Sequence, residues 1–268
     1  MMNRIDVKFQ KLRENGQKAL VAFISAGDPD FDVSLEIITQ MCKSGVDVLE
    51  LGVGFSDPTA DGPVIQRASQ RAIKAGMSLT RSLEMVKLLR SRVDTPIVIF
   101  SYYNPVFHYG VEKFCRDAVK AGVDGTLLVD LAYEESAEFT NVRGNLDIKL
   151  VRLIAPTTSN ARAAKICSAA EGFVYLISRT GVTGTGGLDY SEVESHVREV
   201  KAMTGLPVCL GFGVSTAEDV RKISAYADGV VIGSAFEKII EANLADVKRL
   251  PEMLAQKTAE FKAATIQK

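Results

Sequence analysis

One pattern recurs along the whole chain: a short, nearly continuous apolar run, a turn, then a segment of helical periodicity. The runs span 19–25, 46–53, 96–101, 123–130, 148–155, 172–178, 206–212 and 229–233. Strands this apolar are buried on both faces, and strands each followed by a helix make a parallel sheet covered by helices. Eight such units in 268 residues predict a closed (β/α)8 TIM barrel with an extra N-terminal helix, one domain over 1–268.

The helices are expected over 5–15, after Gly27-Asp28-Pro29 through about Ser44, and from near Leu79, Val111, Glu134, Asn160, Ser191 and Thr216, with the last in the C-terminal tail. Asp28 reads as an N-cap or first-turn residue, and Ser215 to Glu218 as a capping box. The segment between Gly54 and Pro63 reads as a loop, rich in Gly, Pro, Asp, Ser and Thr.

Apolar residues make up 47% of the chain and charged ones 24%, enough for a full core. A net charge of −1 with no basic run argues against nucleic acid or an anionic membrane as partner. The polar first residues do not read as a signal peptide, and no apolar run approaches membrane-spanning length. Cys42, Cys115, Cys167 and Cys209 lie far apart, three in helices and one in a strand, as core residues of a reduced, cytoplasmic protein do. His108 and His196, with no paired Cys motif, give no expectation of a metal site.

Val46 to Gln66 carries the chemistry. Strand alternation puts Val46, Val48, Glu50 and Gly52 on one face, so an acid shares a face with two valines. A buried, unpaired carboxylate raises its pKa and takes up a proton, which is how a general acid/base is tuned. Asp61 follows in the next loop, while Asp57 before Pro58 reads as a turn residue. Barrel active sites form where the strands end, so Glu50 and Asp61 are expected at the same mouth. The alternative for either acid is a helix cap or a partner for a lysine.

Three later loops are rich in glycine: 178–187, Gly211-Phe212-Gly213 and Gly233-Ser234. Glycine lets backbone N–H groups approach an anion, and a following helix N-terminus adds favourable partial charge. Gly213, Gly233 and Ser234 are candidate phosphate ligands, and the loop with Gly181, Gly184, Gly186 and Gly187 a candidate lid. Each glycine alone also suits a tight turn. Phe23, Phe100, Tyr102, Tyr175 and Phe212 lie near strand ends, where together they would suit a flat apolar ligand and singly the core.

The run LELGVGFSDPTADGP, followed in order by ISRTGVTG, GFG and GSAF, resembles the tryptophan synthase alpha subunit family over essentially the whole chain. The resemblance implies a barrel that cleaves indole-3-glycerol phosphate to indole and glyceraldehyde 3-phosphate. It makes Glu50 the acid/base and Asp61 the carboxylate on the indole N–H. Thr183 and Gly184 match the loop after strand six, with Gly184 a phosphate ligand beside Gly213, Gly233 and Ser234. Phe23, Tyr102, Tyr175 and Phe212 match positions around the ligand. The family pairs with a β subunit in an α2β2 complex. That subunit holds pyridoxal phosphate, and no cofactor is expected in this chain.

Two positions depart from that pattern: Gly54 and Ala132 stand where the family usually has proline. Glycine raises the entropy lost on ordering, so coupling to the β subunit or catalysis is expected to be sensitive there. An allosteric α subunit that cleaves weakly is therefore the alternative, and a phosphate-binding isomerase a third. A Schiff-base aldolase needs a lysine in the barrel, and Lys149 sits near the wrong end of strand five.

Overall fold

The computed structural model describes residues 2–177, 190–211 and 213–266. Among them eight parallel strands close into a barrel in chain order: β1 Ala19–Ser25, β2 Val48–Gly52, β3 Ile97–Ser101, β4 Gly125–Leu128, β5 Lys149–Ile154, β6 Val174–Ile177, β7 Val208–Gly211 and β8 Gly229–Ile232. Val21 lies beside Val48 on one side and Val231 on the other, so β1 closes the ring and no edge is left unpaired. This is the expected fold class.

Helix α1 (Arg4–Glu14) precedes β1, and α2 (Phe31–Lys43) follows it. After β2 come α3 (Pro63–Lys74) and α4 (Leu79–Arg90), and after β3 come α5 (Tyr103–Tyr109) and α6 (Val111–Ala121). The remaining strands are followed by α7 (Ala137–Arg143), α8 (Asn160–Ser168), α9 (Tyr190–Met203), α10 (Ala217–Ser224) and α11 (Ser234–Ala242), with α12 (Leu250–Ala264) last.

Alternation along the strands produces two cores. Leu20, Leu49, Ile97, Leu150, Val174, Val208 and Val230 face outward and pack under the helices. Val21, Val48, Val98, Leu127, Val151, Tyr175, Cys209 and Val231 fill the barrel itself. Ile5, Phe9 and Leu12 of α1 join the inner cluster, so the extra helix plugs the end where the strands begin. That end is also pinned by acids: Asp47 accepts the Leu20 N–H (2.9 Å), Asp124 the Ile97 N–H (2.8 Å) and Asp228 the Val208 N–H (3.0 Å).

Four expectations change in detail. The first helix after β2 is α3, not the one at Leu79: Pro63 occupies its first turn, where a missing N–H costs nothing, and its buried face is only Ala68, Ser69 and Ala72. Val46 precedes β2 and packs in the outer core, so Glu50 shares the inner face with Val48 alone of the two valines. The capping box is Thr216 with Asp219, one residue later than read, because Thr216 is the residue in extended conformation before the helix. Asp30 rather than Asp28 caps α2, accepting the Val33 N–H (2.9 Å).

Candidate functional site

Glu50 lies on the inner face of β2, beside Phe23 of β1 and Val98 of β3. It is fully buried, and neither carboxylate oxygen has a hydrogen-bond partner among the described residues. Burial pushes its carboxyl up to about 8, so at neutral pH it holds a proton. The buried Tyr175 phenol is raised by its own burial first and then by the charge of Glu50. That influence places the Tyr175 phenol within reach of the Glu50 charge.

Above Glu50 the wall is built from aromatic rings set against glycines. A side chain on Gly52 would meet the Phe23 ring at 2.6 Å, and one on Gly211 would meet the Tyr175 hydroxyl at 2.1 Å. The absent Cβ atoms are what give both rings room inside the barrel. Phe23 stands edge-on to Phe100, with ring centroids 5.0 Å apart. It also borders Gly233, whose added Cβ would lie 3.2 Å away.

Asp61, half-buried in the loop between β2 and α3, opens into a cleft with Phe23, Gly52, Gly54, Phe100 and Tyr102. Burial pushes its carboxyl up to about 6, against a hydrogen bond from the Tyr102 hydroxyl. The same hydroxyl accepts the Ala60 N–H (2.9 Å), so one phenol fastens the loop at Ala60 and at Asp61. Ser69 of α3 receives the Phe55 N–H (3.1 Å), and Gly54 packs so closely on α3 that a Cβ there would come 3.0 Å from Ile73.

The structure thus brings Asp61, Phe23 and Tyr102 to one cleft, where Phe23 is the β1 neighbour of Glu50, with Tyr175 in the same barrel interior. Gly233 and Ser234 begin α11 beside Phe23, and Gly213 follows β7 in a left-handed conformation with nothing within 4 Å of an added Cβ. Thr183, Gly184 and Phe212 lie outside the described residues. Ile65 and Ser69 also line the cleft; they lie between the loop expected to end at Pro63 and the helix expected from Leu79, where the sequence reading assigns no element. Lys149 is the first residue of β5 and pairs with Asp6 of α1 (3.2 Å), at the plugged end of the barrel.

The sequence model of the family described as tryptophan synthase alpha chain matches residues 9–266. The tryptophan synthase alpha chain of Desulfatibacillum aliphaticivorans is 54% identical over 264 residues, covering 98% of this chain and 99% of that one. That of Desulfosudis oleivorans is 53% identical with the same coverage. Among solved structures, the tryptophan synthase alpha subunit of Legionella pneumophila is similar at TM-score 0.91 and 37% identity, covering 99% of each chain. A structure of Mycobacterium tuberculosis tryptophan synthase is similar at TM-score 0.89 and 32% identity over 100% of both chains. The chain therefore belongs to the tryptophan synthase alpha chain family, whose reaction is the cleavage of indole-3-glycerol phosphate to indole and glyceraldehyde 3-phosphate.

Proposed function

We propose that Glu50 is the acid/base of that cleavage and Asp61 the anion that holds the indole N–H. The observation that carries the reading is a fully buried glutamate with no partner among the described residues, whose β1 neighbour Phe23 lines an aromatic cleft with a half-buried aspartate. A carboxyl held near 8 can give its proton to indole C3. The resulting carboxylate then takes the proton of the neighbouring side-chain hydroxyl. The carbon–carbon bond breaks, its electron pair returns to the ring, and Glu50 is protonated again. Positive charge on the ring nitrogen exists only between those two transfers, so a fixed carboxylate there favours the transition state over the ground state.

Phe23, Tyr102, Tyr175 and Phe212 are assigned to the walls around the indole. Gly213, Gly233 and Ser234, with Gly184, are assigned to the phosphate, and Thr183 to the loop that covers it. Support for the phosphate end comes from backbone N–H groups at the start of α11, which favour an anion without any lysine. The family's α chain works without a cofactor of its own and implies a β-subunit partner, to which pyridoxal phosphate belongs. An α2β2 heterotetramer, a cytoplasmic location and one domain over 1–268 complete the proposal. No helix among the described residues is long and apolar enough to cross a membrane.

The test is release of glyceraldehyde 3-phosphate from indole-3-glycerol phosphate, by the chain alone and with a β subunit, for wild type and Glu50→Gln. Glu50→Gln should lose up to about 10⁴-fold in turnover while still binding glyceraldehyde 3-phosphate. Near-normal turnover would remove Glu50 from the chemistry. A wild-type complex that does not cleave, yet accelerates the β reaction, would make the chain an allosteric activator.

A further inference from the structure

A second buried acid lies behind the phosphate end. Glu237, in the first turn of α11, and Asp28, in the loop after β1, are both fully buried. Glu237 Oε1 accepts the N–H of Ser25, the last residue of β1, at 2.6 Å. Its Oε2 is buried with no hydrogen-bond partner among the described residues. Asp28 is held at both oxygens by Arg71 of α3 (2.8 and 2.7 Å). Arg71 also reaches Glu241 of α11 (3.2 Å), and Arg67 of α3 clasps Glu241 through two N–H groups (2.5 and 2.8 Å).

The network ties three elements together: the end of β1, the start of α11, and the helix that follows the Asp61 loop. An apolar side chain would fill the place of Glu237 at no desolvation cost, so a carboxyl there calls for a role beyond packing. Burial first, and then the charge of Asp28, push the Glu237 carboxyl up to about 8, with the Ser25 hydrogen bond opposing. The charged groups around it are Asp28, Arg71 of α3 and Glu241 of its own helix, while α12 meets α11 through Phe261 against Phe236.

We propose that Glu237 is a positioning residue for phosphate binding: its carboxyl ties the first turn of α11 to the end of β1 and so fixes the N–H groups beginning at Gly233 and Ser234. This rests on the reading above that Gly233 and Ser234 hold the phosphate. Glu237→Leu keeps bulk and removes the hydrogen bond from Ser25, whereas Glu237→Gln keeps an acceptor for Ser25 and places a donor on the side of Asp28. Glu237→Leu should raise the KM for indole-3-glycerol phosphate and the Kd for glyceraldehyde 3-phosphate about tenfold, with kcat within about twofold, and Glu237→Gln should restore both.

A folded Glu237→Leu with a lower Tm but unchanged KM and Kd would overturn the proposal, since the side chain would then only pack. A Glu237→Gln as impaired as Glu237→Leu would also overturn it. The pH dependence gives an arm that needs no large substitution. Above about 8 the ionised Glu237 sets a second charge beside Asp28, so affinity for glyceraldehyde 3-phosphate should weaken more steeply between about pH 7 and 9 in wild type than in Glu237→Gln, which keeps only the titration of Glu50. Coincident profiles would overturn the proposal. Ser234→Asp separates the two readings: undiminished affinity there overturns the phosphate assignment itself. Loss in Ser234→Asp with none in Glu237→Leu overturns the role of Glu237 alone.

Discussion

The acids that pin the start of the barrel and the two acids of the candidate site at its other end are treated in opposite ways. Where the strands begin, each aspartate accepts a backbone N–H from another strand and also meets a cation. Asp47 pairs with Lys262 (2.7 Å), Asp124 with Arg4 (2.9 Å) and Arg90, and Asp228 with Lys201 (2.7 Å). Where the strands end, Glu50 has no partner and Asp61 no ion pair among the described residues. Burial does not tell the two groups apart: Asp47, Asp124 and Glu50 are buried, Asp228 and Asp61 partly so. The count of partners does, because a satisfied acid holds the fold while an unsatisfied one is kept for a ligand.

The largest effect that can break this comparison is at the satisfied end. Asp124→Ala leaves the Ile97 N–H without its acceptor and the largely buried Arg90 without its anion. A loss of about 3–5 kcal/mol in urea unfolding is expected, with KM and kcat of the folded enzyme unchanged. A loss below about 1 kcal/mol would mean that solvent already pays for those charges, as at an exposed ion pair.

Asp61→Asn tests the open end. The amide keeps the shape of the side chain and removes its charge, so kcat should fall about 10²- to 10³-fold. Stability should not fall, because no ion pair of Asp61 is lost and the amide carries no cost for burying a charge. Since its carboxyl ionises near 6 in the ligand-free protein, wild-type kcat/KM should also fall as pH drops through that value, and this acid limb should vanish in Asp61→Asn. Turnover near that of wild type would leave Asp61 as a loop residue tied to Tyr102.

The closed barrel could be read in the sequence because its signal is repeated eight times, and strand cores of Val, Leu and Ile announce themselves. Glu50 was legible for the opposite reason: one acid breaks an apolar alternation. Helix α3 was not legible, because its buried face is only Ala68, Ser69 and Ala72, small residues that suit a loop as well, and its first turn opens on Pro63 directly after a turn-rich segment. The cleft residues Ile65 and Ser69 were lost with it. Asp28 illustrates a second limit, since Asp-Pro after a strand fits a cap, while its partner Arg71 lies 43 residues on and Glu237 more than 200. Contacts of that separation are set by barrel closure, which local spacing does not encode.

The smallest effect sharpens the comparison, because keeping an acid unsatisfied must cost stability. The Glu50 carboxyl sits at about 8 in the fold against 4.5 for a free glutamate. Between those values the folded chain binds a proton that the unfolded chain has released, so stability falls as pH rises through the window. Glu50→Gln removes the effect. Its stability advantage over wild type, from urea unfolding, should therefore widen by about 2 kcal/mol between about pH 6 and 8. Glu237 contributes with the same sign to both proteins and cancels in the difference. A gap that stays constant would mean that Glu50 finds a counter-charge or water when it ionises, and would place it with the satisfied acids at the other end of the barrel.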